Sequence, residues 1–282
     1  MAEKNMTIRR IRQLDRDGVI ELRRSYGQQM GIGALDSLMK CDPDGIYVAV
    51  TEDGQVQGTV AVIDMCADLS CVMLHTVRAE HQKSGLASRL WREAVEPRLG
   101  TDKNAFLICG AFHVAMYFRR FGFEVVSTEC IHYIRPGAAV ISSLPRSVEG
   151  VDVSRLPAPP RERFLRPLLA EPGNVVVVAR RGNHSQALAG YGVVSTDISG
   201  CALLRIVYAD DGAIAECIVF HLLESYEPFR NKGLTGLLLA GAGEGRGLDH
   251  KMSLETAPYV NILYRRHEPA TCDYKRQFVV PV

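Results

Sequence analysis

The feature that most constrains this chain is a change of pattern at Val77. Cys71 to Val77 is a strand, apolar over Cys71 to Leu74, and it gives way to the polar turn Arg78-Ala79-Glu80-His81-Gln82-Lys83-Ser84. Gly85 then opens a helix in which Leu86/Ala87, Leu90/Trp91 and Ala94/Val95 recur every four residues, one apolar face, with Pro97 expected to end it. A strand that feeds through such a turn into a helix calls for a sheet with helices layered on it. The turn has the order Gln82-x-x-Gly85-x-Ala87, and small residues let a backbone come close to a ligand. The first amides of a helix have no internal partner. Together with the positive end of the helix dipole they favour a phosphate by roughly 0.3–1 kcal/mol per unit charge.

Further elements surround this unit. Residues 6–30 predict a short strand and then a helix starting near Asp15 or Asp17. Ile46 to Val50 and Gln57 to Met65 read as strands joined by the hairpin turn Glu52-Asp53-Gly54. Ala105 to Cys109 reads as a strand, Val114 to Arg120 as a short helix capped by Gly122, and Phe123 to Ile134 as one or two closing strands. Residues 135–160 hold five prolines and read as a linker with room for one strand. Beyond it, Asn174 to Ala179, Ala187 to Ser195 and Ala202 to Val207 predict strands, with a turn at Arg181-Gly182-Asn183. Gly212 to Glu224 predicts a helix, Leu234 to Ala242 a helix, and Lys251 to Leu254 a strand.

The two halves align at an offset of 130 to 132, with Gly58 on Gly190, Cys71 on Cys201, Leu74 on Leu204 and Val77 on Val207. The matching order of elements, more than these identities, predicts two copies of one plan. The expected division is a first domain over 1–135, a linker over 136–160 and a second domain over 161–282.

Composition sets the outer bounds. The 282 residues are 47% hydrophobic and 23% charged with a net charge of +1, so the overall balance gives no attraction to nucleic acid or to a membrane surface. The charged start MAEKNMTIRRIRQLDRDG is not read as a secretory or transit signal, and no apolar run reaches a membrane span. The eight cysteines show no C-x-x-C spacing, and most fall in apolar runs. They predict reduced thiols in a cytoplasmic protein and no metal site.

With these residues in place, positions 7–135 resemble the GNAT (Gcn5-related) N-acetyltransferase superfamily. The resemblance rests on element order, on the Gln82/Gly85/Ala87 turn, and on Met116-Tyr117-Phe118-Arg119-Arg120-Phe121-Gly122-Phe123. The second half resembles a degenerate copy, as in tandem members, with Tyr208-Ala209-Asp210 at its turn and Ala215 and Cys217 in place of Gly85 and Ala87. The resemblance implies a tandem α/β (α+β) fold of mixed, mostly antiparallel sheets flanked by helices. It implies acetyl-coenzyme A as cofactor. Main chain of Leu74, Thr76 and Val77 is then expected to meet the pantetheine arm, in a gap where the fourth and fifth strands splay. Gln82, Lys83, Ser84, Gly85, Leu86 and Ala87 are expected to meet the diphosphate. Arg230-Asn231-Lys232-Gly233-Leu234-Thr235-Gly236 mimics the glycine signature, but no convincing strand ends before it, and context decides such matches.

The family's tyrosine that protonates the departing thiolate stands four residues before the Gly-Phe pair; here that residue is Phe118, with Tyr117 one earlier. On a helix this turns the side chain by about 100°. The acid is therefore lost, taken by Tyr117 after a local register change, or supplied by solvent.

Acetyl transfer to an amine needs the amine uncharged, and a lysine-like amine has a pKa near about 10.4, so a general base is required. His75, on the strand beside the expected cofactor, is the first candidate, and His113, between the fifth strand and the short helix, the second. Each has a bland alternative: His75 packed between sheet and helix, His113 as a loop residue in solvent. Lys83 and the pair Arg119-Arg120 are candidates for added charge on the phosphates, or solvated surface. Two functions compete. One is an acetyl-CoA-dependent N-acetyltransferase acting on a small-molecule or protein amine. The other is a non-catalytic acyl-CoA-binding or scaffolding protein on the same fold.

Overall fold

The computed structural model describes residues 6–28, 30–134, 140–156, 171, 173–182, 187–238, 255–267 and 277–279. The fold is mixed α/β, and the chain forms two compact units. The first comprises Met1–Gln28, Ala34–Ser127 and Asn261–Glu268; the second comprises Gln29–Gly33, Thr128–Val260 and Pro269–Val282.

The first unit is built on the strands β1 (Thr7–Arg10), β2 (Ile46–Val50), β3 (Val56–Asp64), β4 (Leu69–Val77) and β5 (Asn104–Gly110). β1 to β4 pair antiparallel in chain order, and β5 joins β4 in parallel. Thr51 closes the β2–β3 hairpin, with Gly54 at a φ of 84°, the left-handed conformation the Asp-Gly turn demands. β3 is buried from Val56 to Ile63, as a central strand covered on both faces must be. Helices α1 (Arg16–Ser25) and α2 (Ala34–Cys41) lie between β1 and β2 in sequence. α2 falls where the sequence shows no chemical pattern and no predicted element.

Helix α3 starts at Leu86–Leu90, widens to a π-helical segment over Trp91–Val95 and finishes with an α turn at Glu96–Leu99. The predicted stop at Pro97 is corrected by one turn: Pro97 sits inside the last turn, where its missing N–H coincides with the loosened bonding of the π segment. α4 (Ala111–Phe121) follows β5 directly and ends at Gly122, with φ 69°. The core gathers Leu86, Leu90, Trp91, Val95, Tyr117 and Phe123 with β3 and β5 residues. Buried Asn104 donates to the carbonyl of His267 at 2.6 Å and accepts from the amide of Arg266 at 3.2 Å, tying the returning segment to β5.

The second unit repeats the theme. β7 (Val151–Leu156), β8 (Val175–Arg181), β9 (Leu188–Thr196) and β10 (Ala202–Ala209) pair antiparallel in order. β11 (Leu234–Leu238) runs parallel to β10 and antiparallel to the end of β6 (Glu124–Ile134), while β13 (Gln277–Val279) pairs β10 antiparallel. β12 (Glu255–Tyr264) is the last long strand. α5 (Gly212–Leu223) buries nine of its twelve residues, as a helix apolar on all sides must. α6 (Glu227–Lys232) is short. Residues of the α1–α2 connection belong to this unit: the amide of Ile32 donates to Thr196 and that of Ile198 to Met30.

The one strand for which the expected linker left room is β7 at Val151–Leu156. The helix predicted over Leu234 to Ala242 is instead strand β11 over Leu234–Leu238, because a short apolar run suits either state and the ladder to β10 decides. Residues 239–242 and the strand predicted at Lys251 to Leu254 lie outside the described residues.

Candidate functional site

The site begins with a fault in β4. Thr76 faces Thr59 and Met73 faces Ala61, so β4 carries one residue more than β3 between these pairs. The bulge falls at Leu74, which is buried and held at φ 56°, a costly conformation for a branched residue. Parallel pairing with β5 covers Leu69–Val72 against Asn104–Leu107 and stops before the bulge. Past Val72, β4 has no strand partner on its β5 side among the described residues. The carbonyl of Val77 takes a hydrogen bond from the Tyr26 hydroxyl at 2.8 Å, and that hydroxyl accepts from the Gln82 amide group at 2.9 Å. Thr76 donates to Gln28 at 3.0 Å. The end of α1 is thus clasped to the end of β4.

The turn after β4 is shaped by two left-handed residues, Lys83 at φ 65° and Gly85 at φ 91°. The Ser84 hydroxyl donates to His81 and accepts from the Leu86 amide. The first intrahelical bond of α3 runs from Arg89 to Gly85. The amides of Lys83, Gly85, Ala87 and Ser88 have no partner among the described residues. Gln82, Lys83, Ser84 and Gly85 are exposed, Leu86 is buried and Ala87 half-buried. A Cβ built on Gly85 meets no atom within 4 Å, so space lies open beside that residue. Arg120 reaches the same helix turn through a 3.1 Å bond to the Ser88 hydroxyl, and its guanidinium adds positive charge there. Four free donors, a helix terminus and two cations make a place for a polyanion.

Behind the turn sits an aromatic cage. His75 Nδ1 lies 3.0 Å from the Tyr117 hydroxyl and Nε2 lies 3.0 Å from the carbonyl oxygen of Ala87. A carbonyl only accepts, so Nε2 carries the hydrogen and Nδ1 accepts from Tyr117. Trp91 stacks on Phe121 at 3.9 Å and lies 5.7 Å from both His75 and Tyr117. Burial lowers the His75 pKa to about 4, partly opposed by the Ala87 carbonyl and reinforced by His113. Burial also raises the Tyr117 phenol well above its ordinary range.

No family model matches the sequence, and no curated protein matches it in sequence. Solved structures do match in three dimensions. An acetyltransferase candidate from Pyrococcus horikoshii superposes with a TM-score of 0.74 at 14% identity, covering 100% of this chain and 96% of that one. A GCN5-related N-acetyltransferase from Sphaerobacter thermophilus gives 0.59 at 12% identity, covering 94% and 96%. Another from Anabaena variabilis gives 0.55 at 10% identity, covering 92% and 72%. This chain has the GNAT fold. The likeness runs over nearly its full length, so it embraces both units.

Within the GNAT fold, the catalytic candidates stand in different settings. His75 was expected as the base, but both ring nitrogens are already engaged and protonation is disfavoured by burial. Tyr117 was expected as a possible acid after a register change. α4 is regular to its Gly122 cap, Tyr117 is buried in the core with its proton on His75, and Phe118 points outward, 58% exposed. His113 is exposed in the first turn of α4. Sequence reasoning could not find the His75–Tyr117 bond, because 42 residues separate the partners and no local pattern links them. The bulge at Leu74 likewise has no signature in the residues.

The second unit keeps the plan but caps the head of its helix. β10 bulges at Arg205, the counterpart of His75 at the offset of 130. Gly190 lies beneath Ile218 of α5 as Gly58 lies beneath Leu90 of α3, and a Cβ at either would collide with that side chain below 3.0 Å. At the head of α5, however, the Asp211 carboxylate accepts from the Ile214 amide at 2.9 Å. A fixed carboxylate there satisfies a donor and repels a phosphate. Arg205 is spent on a buried ion pair with Glu171 at 2.8 Å. The glycine mimic at Gly233 ends helix α6 and precedes strand β11, the reverse of strand-to-helix order. Among the described residues no group of histidine, cysteine and carboxylate side chains is placed to hold a metal, and no helix is long and apolar enough to cross a membrane.

Proposed function

We propose that this chain binds acetyl-coenzyme A in its first unit and transfers the acetyl group to an amine. The observation that carries the reading is the set of free amides at Lys83, Gly85, Ala87 and Ser88 at the head of α3. These donors, with Lys83 and Arg120, suit the diphosphate. The edge of β4 past Val72, which among the described residues has no strand partner on its β5 side, suits the amides of a pantetheine arm laid down like an added strand. Gln82 and Ser84 flank the same turn, and Leu86 roots it in the core.

The coenzyme supplies an activated acyl thioester when bound. The chain's own tasks are to hold it, to bring an amine to it and to take a proton from that amine. His75 is engaged elsewhere, so His113, exposed beside the end of β5, is the imidazole we assign to proton removal. A thiol pKa of about 8.5 makes the thiolate an adequate leaving group, so solvent protonation serves where Phe118 replaces the tyrosine. The acceptor is a small-molecule or protein amine.

A second reading, a non-catalytic acyl-CoA binder, is favoured by one observation: Tyr117 and His75 satisfy each other and Phe118 has no acid to offer. Titration with acetyl-CoA, followed by detection of free thiol with a panel of amines, separates the two. Binding with amine-dependent thiol release is expected. Binding without release for any amine would favour the second reading, and absence of binding would remove both.

A further inference from the structure

His75 follows the bulge residue Leu74 in β4, and the extra residue there resets the alternation of side chains along the strand. The imidazole thereby reaches α3. Its partner, the Ala87 carbonyl, belongs to the first turn of that helix and also accepts from the Trp91 amide, where the π-helical segment begins. Its other nitrogen is held by Tyr117 of α4. One ring therefore joins β4, α3 and α4 just below the four free amides.

We propose that His75 is a positioning residue: its Nε2–H, oriented by the Tyr117 hydroxyl, fixes the first turn of α3 so that the amides of Gly85, Ala87 and Ser88 stay aimed outward. The proposal rests on the cofactor reading above, but the latch itself is independent of any ligand. The need for a latch follows from the turn. Lys83 to Gly85 is exposed and has two left-handed residues, and beyond Ser84 it gains few internal bonds. Aimed donors stabilise an anion without reorganisation only when something behind them holds them still. The second copy supports the assignment: where Arg205 replaces the histidine and bonds Glu171 instead, the helix head is stoppered by its own Asp211 carboxylate.

The test uses the full chain with His75→Leu, which removes the donor, and His75→Gln, which places an amide N–H where Nε2 was. Amide hydrogen exchange without ligand reads the latch. His75→Leu is expected to speed exchange at Arg89 and Trp91 about 5–10-fold while distant amides of β2 and β3 stay unchanged, and His75→Gln to restore protection. Coenzyme A titration reads the consequence: affinity falls about 5–10-fold in His75→Leu and returns to within about threefold in His75→Gln. Nitrogen-15 imidazole shifts should show the Nε2–H tautomer in the wild type, as the bond to the Ala87 carbonyl requires. Unchanged exchange in His75→Leu, or a glutamine variant that behaves like leucine in both readouts, would overturn the proposal. Normal latch behaviour in a wild type that does not bind coenzyme A would instead overturn the cofactor reading. Global unfolding of the leucine variant, seen as exchange rising everywhere, would overturn the positioning role in favour of a purely structural one.

Discussion

Glutamate in place of Gly85 is expected to weaken coenzyme A binding at least about 100-fold while leaving the first unit folded. Gly85 sits at φ 91°, where a side chain costs about 1–2 kcal/mol, yet its Cβ direction is open, so the new residue displaces nothing from the core. The loss comes from charge. A carboxylate beside the amides of Lys83, Ala87 and Ser88 takes the place of the diphosphate and repels it. This is the arrangement the second unit already has, where Asp211 caps Ile214. Gly85→Ala separates the two effects, since it carries the backbone strain without the charge and should cost less than about tenfold. Calorimetric titration measures both, with circular dichroism as the check on folding. Equal losses for alanine and glutamate would mean that strain and not charge governs the turn.

Acid is expected to destabilise the first unit through His75. In the unfolded chain its pKa returns to about 6.5, while in the folded protein it is about 4. Between these values the unfolded chain binds a proton that the folded one refuses, so stability is complete above pH 6.5 and falls as the pH drops toward 4. The contribution is about 3 kcal/mol, a large share of the stability of a domain. Protonation also removes the lone pair that accepts from Tyr117, so the cage loses its central bond. Urea unfolding at pH 7 and pH 4.5 measures the slope. His75→Gln, which does not titrate, should flatten it by that amount. An equal slope in variant and wild type would show that carboxylates alone set the acid limb.

The strand-to-helix turn at Gln82 to Ala87 was legible in the sequence because its determinants are local. A glycine with positive φ, a change from strand to helix periodicity and a helix head all lie within ten residues, and each leaves a mark in the residues present. The duplication was legible for the same reason: Gly58 and Gly190 are glycine because a helix crosses each at a distance that admits no Cβ. The catalytic candidates were not, since their state depends on partners far away in the chain. His75 is chemically suited to be a base, and only its contacts with Tyr117 and Ala87 show that both nitrogens are spent. The strand at Leu234–Leu238 was read as helix because its apolar run is short and its ladder partner, β10, lies some thirty residues earlier. The helix over Ala34–Cys41 escaped because a glycine-rich start hid its period.

The central claim is that free main-chain donors at the head of α3 grip an anion and that the equivalent place at the head of α5 does not. Coenzyme A titrated into nitrogen-15-labelled full-length protein tests it directly. The account predicts saturating shifts at the amides of Lys83, Gly85, Ala87 and Ser88, with Ile214 unmoved. Shifts centred on Ile214, or saturation that leaves the four amides of the first unit where they were, would contradict it.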